Sequence, residues 1–150
     1  MNKYIEEAKK QAQKGMESKS GGPFGAVIVD KNGQIIAKGH NEVLSTKDPT
    51  AHAEIVAIRK ACEKIGKSDL SEYTIYSSCE PCPMCLSAII WANIKKIYYG
   101  GTRQDAAKIG FRDDAIYEYI KGENKELLKT EEIDRKECKE MMESYNGEIY

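Results

Sequence analysis

The sequence predicts an α/β domain in which a mixed sheet lies between layers of helices. Three observations predict it. Segments with apolar residues at helical spacing alternate with short apolar runs in the order α-β-β-α-β-α-β-α. No repeat, low-complexity tract or linker divides the 150 residues, which are enough to enclose one core. Hydrophobic residues make up 41% and charged residues 31%, the balance of an ordinary globular domain. A single domain over residues 1–150 is expected.

Asn2 to Lys19 reads as an amphipathic helix with Ile5, Ala8, Ala12 and Met16 along one face, broken by Ser20-Gly21-Gly22-Pro23. Ala26 to Val29 is a short apolar strand. Asp30-Lys31-Asn32-Gly33 supplies turn chemistry, and Gln34 to Lys38 completes a hairpin. After a polar loop, Asn41 to Pro49, helical spacing returns at Ile55, Ile58, Cys62 and Ile65, with Gly66 as the stop. Tyr73 to Ser77 predicts a third strand, Pro83 to Asn93 a buried helix, and Ile97 to Tyr99 a fourth strand. A short helix follows near Asp105 to Lys108. The last helix carries Cys138, Met141, Met142 and Tyr145 on one face, which implies docking on an apolar surface.

The net charge of −1 gives no electrostatic footprint for nucleic acid or anionic lipid. From Asp113 to Tyr150 there are twelve acidic and six basic side chains, so this quarter repels a phosphate backbone. No apolar run approaches the ~18–20 residues of a membrane span, and MNKYIEEAKK has no signal-peptide core. A cytoplasmic protein with reduced thiols is expected. In that setting the grouping of Cys79, Cys82 and Cys85 among five cysteines points to metal ligands or redox chemistry before disulfides.

Two motifs carry the chemistry. Thr50-Ala51-His52-Ala53-Glu54 stands at the mouth of the second helix, and Glu80-Pro81-Cys82-Pro83-Met84-Cys85 where the third strand passes into the third helix. Together they read as H-x-E followed by P-C-x-x-C, the signature of zinc deaminases, in which the glutamate is not a ligand. Residues two apart on a helix point about 200° away from each other. His52 and Glu54 therefore address one centre only from a first turn. Cys82 and Cys85, three apart, lie on one side and can share a metal. Pro83 suits the first turn, and the helix dipole there favours thiolates. His52, Cys82 and Cys85 make three protein ligands, which leaves a fourth tetrahedral position for water at one zinc per chain. Glu54 is placed to carry protons to the ring and the departing amine. A fourth ligand from Cys79 would instead close a structural site, and either C-x-x-C pair alone would suit a redox dithiol.

With these motifs in place, the chain resembles bacterial guanine deaminases of the cytidine deaminase-like superfamily. The blocks GGPFGAVIV, DPTAHAE, AIRKAC and SSCEPCPMCLSAI are shared in part with tRNA adenosine deaminases and cytosine deaminases, whereas DAAKIGF and DDAIY lean toward guanine. The resemblance implies a three-layer α/β/α fold with a five-stranded mixed sheet. It implies zinc on His52, Cys82 and Cys85, with Glu54 and Asp113 as catalytic carboxylates. Asn41, Phe24, Ala53, Trp91 and Tyr150 are implied to meet the substrate. Asn41 reads equally as a loop residue, Asp113 as a helix N-cap, and Phe24 and Trp91 as core. Arg112 departs from the family pattern, which more often has an acidic residue there, and a cation beside Asp113 would favour its ionised form. A homodimer is implied, with residues 125–150 a segment that can be exchanged between subunits so that Tyr150 caps the partner's site. The expected reaction is hydrolysis of guanine to xanthine and ammonia. Adenosine in tRNA, cytosine or a triazine are the alternative substrates.

Overall fold

The computed structural model describes all of residues 1–150. Helix α1 (Lys3–Glu17) leads into the hairpin of β1 (Gly25–Val29) and β2 (Ile35–His40). A one-turn helix α2 (Val43–Thr46) and helix α3 (Ala53–Ile65) follow, then β3 (Thr74–Cys79), α4 (Pro83–Trp91) and β4 (Ile97–Gly101). The chain ends in α5 (Arg103–Lys108), α6 (Asp113–Ile120), a 3-10 turn at Lys125–Leu127 and α7 (Arg135–Glu143). The strands form one mixed sheet in the order β2-β1-β3-β4, antiparallel except for the β3–β4 pair. The sheet therefore has four strands. The fifth strand implied by the resemblance is absent, because after β4 the chain forms short helices and returns no segment to either edge.

Strand β1 is buried along its whole length, which explains its unbroken apolar run. Ala26 and Ile28 join Ala37, Ile75 and the alanines Ala53, Ala57 and Ala61 of α3 in the main core, closed by Leu70, Ile89 and Ile94. On the opposite sheet face lies α1, with Ala8 and Ala12 buried and Tyr4 against Tyr76 at 4.7 Å between ring centroids. The α1 stripe is shifted from the expected one. Gly15 takes the buried position, and Met16 is 47% exposed.

Small residues bring α3 down onto β2. A Cβ at Gly39 would lie 2.5 Å from the Ala53 carbonyl oxygen and 2.8 Å from the Ala57 nitrogen, so backbone rests on backbone there. The second half of the chain is packed differently. Helix α4, expected to be buried, turns Ile90 and Trp91 outward at 65% and 66% exposure. No residue after Ala106 is buried. Met141, Met142 and Tyr145 of the terminal segment are exposed, as is Cys138, so the apolar face of α7 docks on nothing within its own chain. The accessible surface, 10074 Å² for 16.8 kDa, exceeds the ~7,700 Å² expected of a compact monomer by roughly 2,400 Å². No helix is long and apolar enough to cross a membrane.

Gly39→Ala tests the α3–β2 contact. Forcing a methyl between two backbones should cost roughly 1–3 kcal/mol. At ~2–4 °C per kcal/mol for a chain of this size, Tm should fall by several degrees in a thermal melt. An unchanged Tm would show that α3 does not bear on β2 at this point.

Candidate active site

Two helix starts and one strand end converge on the site. His52 is the N-cap of α3 and Cys82 the N-cap of α4, both with extended backbones, and neither uses its side chain to cap. Their side chains are thereby turned away from their own helices and toward each other. Pro83 opens α4, where its missing N–H leaves no bond unmade, and Cys85 follows one turn in, fully buried.

The donor atoms of His52, Cys82 and Cys85 all lie within 4.8 Å of one another. His52 Nδ1 is 3.5 Å from Cys82 Sγ and 3.6 Å from Cys85 Sγ. Zinc with bonds of about 2.0–2.1 Å to nitrogen and about 2.3 Å to sulfur sets a tetrahedral N···S edge of about 3.6 Å. Both N···S distances therefore already have the length that zinc would set. Cys79 is not part of the group; its Sγ donates to the Thr102 carbonyl at 3.6 Å, and burial pushes its thiol up to about 11. Cys82 ionises most readily. Hydrogen bonds from Cys85 and then His52 hold its thiol well below the usual range, while Cys85 keeps the shared proton and is raised by it and by burial.

Glu54 sits in the first turn of α3, 4% exposed, and accepts a 2.7 Å hydrogen bond from Ser77 Oγ on β3. Burial raises its pKa against the opposing effect of the Ser77 bond. Asp113, at the start of α6, is also raised, by burial and then by the Cys82 thiolate. The ionised form that Arg112 was expected to favour is thus opposed by desolvation, the largest influence on the group.

Asn41 is buried, with its side-chain oxygen accepting the Val43 amide at 3.0 Å. That bond engages the carbonyl and turns the NH₂ group to be the donor the side chain can offer a ligand. A small cavity joins these groups: His52, Glu54, Cys82, Asn41 and Asp113 line it together with Phe24. Ala53 and Cys85 are fully buried behind the walls. Trp91 and Tyr150 do not line it; they meet each other, 6.0 Å between centroids, at the far end of α4.

Three further walls, Cys79, Glu80 and Phe111, were not assigned to the site from sequence. Glu80 accepts the Arg103 amide at 2.9 Å, and Tyr117 Oη donates to the Pro81 carbonyl at 3.1 Å. These bonds fasten α5 and α6 to the loop that carries Cys82. Only the block DAAKIGF, which ends on Phe111, hinted that this region belongs to the site.

Comparison with known proteins agrees with this geometry. Residues 1–101 match the cytidine and deoxycytidylate deaminase zinc-binding region. The chain is 51% identical over 117 residues to guanine deaminase from Bacillus subtilis, covering 78% of this chain and 74% of that protein. It is 38% identical over 136 residues to a tRNA-specific adenosine deaminase from Rickettsia bellii, covering 83% and 93%. The X-ray structure of the Bacillus subtilis guanine deaminase superposes with a TM-score of 0.86 at 39% identity, covering 100% of this chain and 99% of that one.

Purified protein should contain one zinc per chain by elemental analysis. Cys82→Ser should lose the metal, and Cys79→Ser should retain it in full stoichiometry. Loss of zinc from Cys79→Ser would place Cys79 among the ligands and make the site a closed, structural one.

Proposed function

The chain belongs to the cytidine and deoxycytidylate deaminase family and is a zinc-dependent hydrolase, and from that premise we propose that it deaminates guanine to xanthine and ammonia. The observation that carries the substrate is the 51% identity to a guanine deaminase, together with a structural likeness that runs through the C-terminal segment. The cavity is consistent with it. The free NH₂ of Asn41 suits an acceptor such as the carbonyl oxygen of guanine, whereas the amine at the same place on adenine is a donor. Relatives that act on tRNA support adenosine as the second reading, but the twelve acidic and six basic side chains of the C-terminal quarter oppose a polyanion.

In a three-ligand site, zinc supplies the acidity that makes water a nucleophile near neutral pH. Glu54 takes the water's proton and passes it to the ring nitrogen beside the carbon under attack. Its raised pKa suits this work, since a more basic carboxylate accepts the proton more readily before passing it on. Asp113, likewise raised, is a second proton source for the departing amine. Asn41 orients the ring and Phe24 packs against it, while Ala53, fully buried between His52 and Glu54, fixes their positions rather than meeting the ring.

The exposed apolar groups also belong to this reading. Trp91, Met141, Met142 and Ile149 are all exposed, and the surface excess of roughly 2,400 Å² matches what obligate interfaces bury. The chain works as a homodimer in which residues 125–150 cross to the partner and Tyr150 closes the partner's cavity.

Ammonia release across guanine, adenine, cytosine, cytidine, guanosine and a tRNA substrate should be fastest from guanine. Glu54→Gln should keep zinc and lose at least ~10²–10⁴-fold in kcat, the usual contribution of an acid-base group. Faster release from any other substrate would overturn the guanine assignment, and turnover within threefold of the parent would remove Glu54 from the mechanism. Chains lacking 147–150 should lose at least tenfold in turnover. Mixed with Glu54→Gln chains, they should regain part of it, because an intact tail then meets an intact Glu54. No recovery after demonstrated subunit exchange would exclude the crossed arrangement.

A further inference from the structure

The two phenylalanines of the cavity are held very differently. Phe24 packs against the main core, and its carbonyl accepts the Asn41 amide at 3.0 Å. Phe111 stands in the short link between α5 and α6 and is 38% exposed. Both ends of that link are anchored. Upstream, Thr102 and Asp105 cap α5 reciprocally. Downstream, Tyr117 of α6 is bonded to the Pro81 carbonyl and lies under the Arg103 guanidinium at 4.4 Å. Between the anchors, backbone bonds from Gly110 and Phe111 to Ala107 and Ala106 close α5. The side chains of the link are less held than its backbone: Ile109 is 62% exposed, Gly110 has φ +101° with open space where a Cβ would stand, and Arg112 makes no side-chain cap for α6.

The rings of Phe24 and Phe111 meet edge to face, 4.8 Å between centroids at 81°. A planar ring held between two aromatic faces needs them about 7–8 Å apart, twice the contact distance of ~3.5–4.0 Å. The cavity beside them measures about 40 Å³. At ~10–15 Å³ each it admits a few waters. No base can stand between the two rings while Phe111 stands where it does.

We propose that Phe111 is the movable wall of the base pocket: it fills the ring's place against Phe24 in the free protein, gives way as the base enters, and closes on the ring's outer face. The proposal rests on the nucleobase reading above. A wall that must close over a flat ring accepts substituents in the ring plane and collides with bulky groups that leave it. Phe111 is therefore a specificity-determining residue that favours free bases over nucleosides.

The test compares the parent with Phe111→Ala and Phe111→Leu, each checked for zinc content and Tm. KM for guanine should rise at least tenfold, with most of the loss in kcat/KM lying in KM. The ratio of kcat/KM for guanine over guanosine should fall at least tenfold. Calorimetric titration with xanthine supplies a readout apart from turnover, and its Kd should rise at least fivefold. If the alanine variant does not fold, the leucine variant, which keeps bulk but has no aromatic face, must show the same changes. KM, Kd and the ratio all within twofold of the parent would overturn the proposal. If the parent prefers another ring, the guanine reading fails by itself. The same ratios, measured on that ring against its N-substituted form, then decide the role of Phe111.

Discussion

The backbone of α3 lies directly on the backbone of β2 because Gly39 has no side chain to hold them apart, and the metal site inherits its geometry from that contact. Ala53, Val56 and Ala57 stand against Gly39, and Ala53 lies between His52 and Glu54. A shift of α3 away from the sheet would carry the histidine ligand and the buried carboxylate together. It would also break the 2.7 Å bond between Glu54 and Ser77, which ties the first turn of α3 to the centre of the sheet. The small residues of α3, Ala53, Ala57 and Ala61, are thus as much a part of the site as the groups that face the cavity.

The burial that the fold imposes on Glu54 would be a liability in a purely structural residue. A carboxyl taken out of water favours its neutral form, and a hydrogen bond from Ser77 offsets this only in part. Two helices direct their N-termini at the same region through His52 and Cys82, and their dipoles favour negative charge on the thiols. The site therefore divides its charge by position. Negative charge is favoured on Cys82, at a helix start, whereas desolvation raises the carboxyls of Glu54 and Asp113 and eases their protonation.

The gathering of His52, Glu54, Cys82 and Cys85 at one place was legible in the sequence because the chemistry fixes local spacing: a step of three positions between the cysteines on one helical turn, and of two between histidine and glutamate at a helix mouth. The alternation of strands and helices was legible for the same reason, and the four strands counted from periodicity are those of the sheet. The fifth strand came from resemblance, and no apolar run after Tyr99 supported it. Phe111 could not be read, since a lone aromatic in a short link has no period, and its meeting with Phe24 spans 87 positions. The apolar face of α7 was read correctly as apolar, but periodicity does not say which chain will cover it.

That uncovered face sets the terms on which the protein holds together. A chain whose last buried residue is Ala106, and which carries roughly 2,400 Å² of surplus surface, leaves that face open to contacts outside itself. Were those contacts made by a second copy, as proposed above, folding and association would become one equilibrium. Melting temperature and activity per milligram would then depend on protein concentration, and dilution would act on the dimer much as mild denaturant acts on a self-sufficient domain.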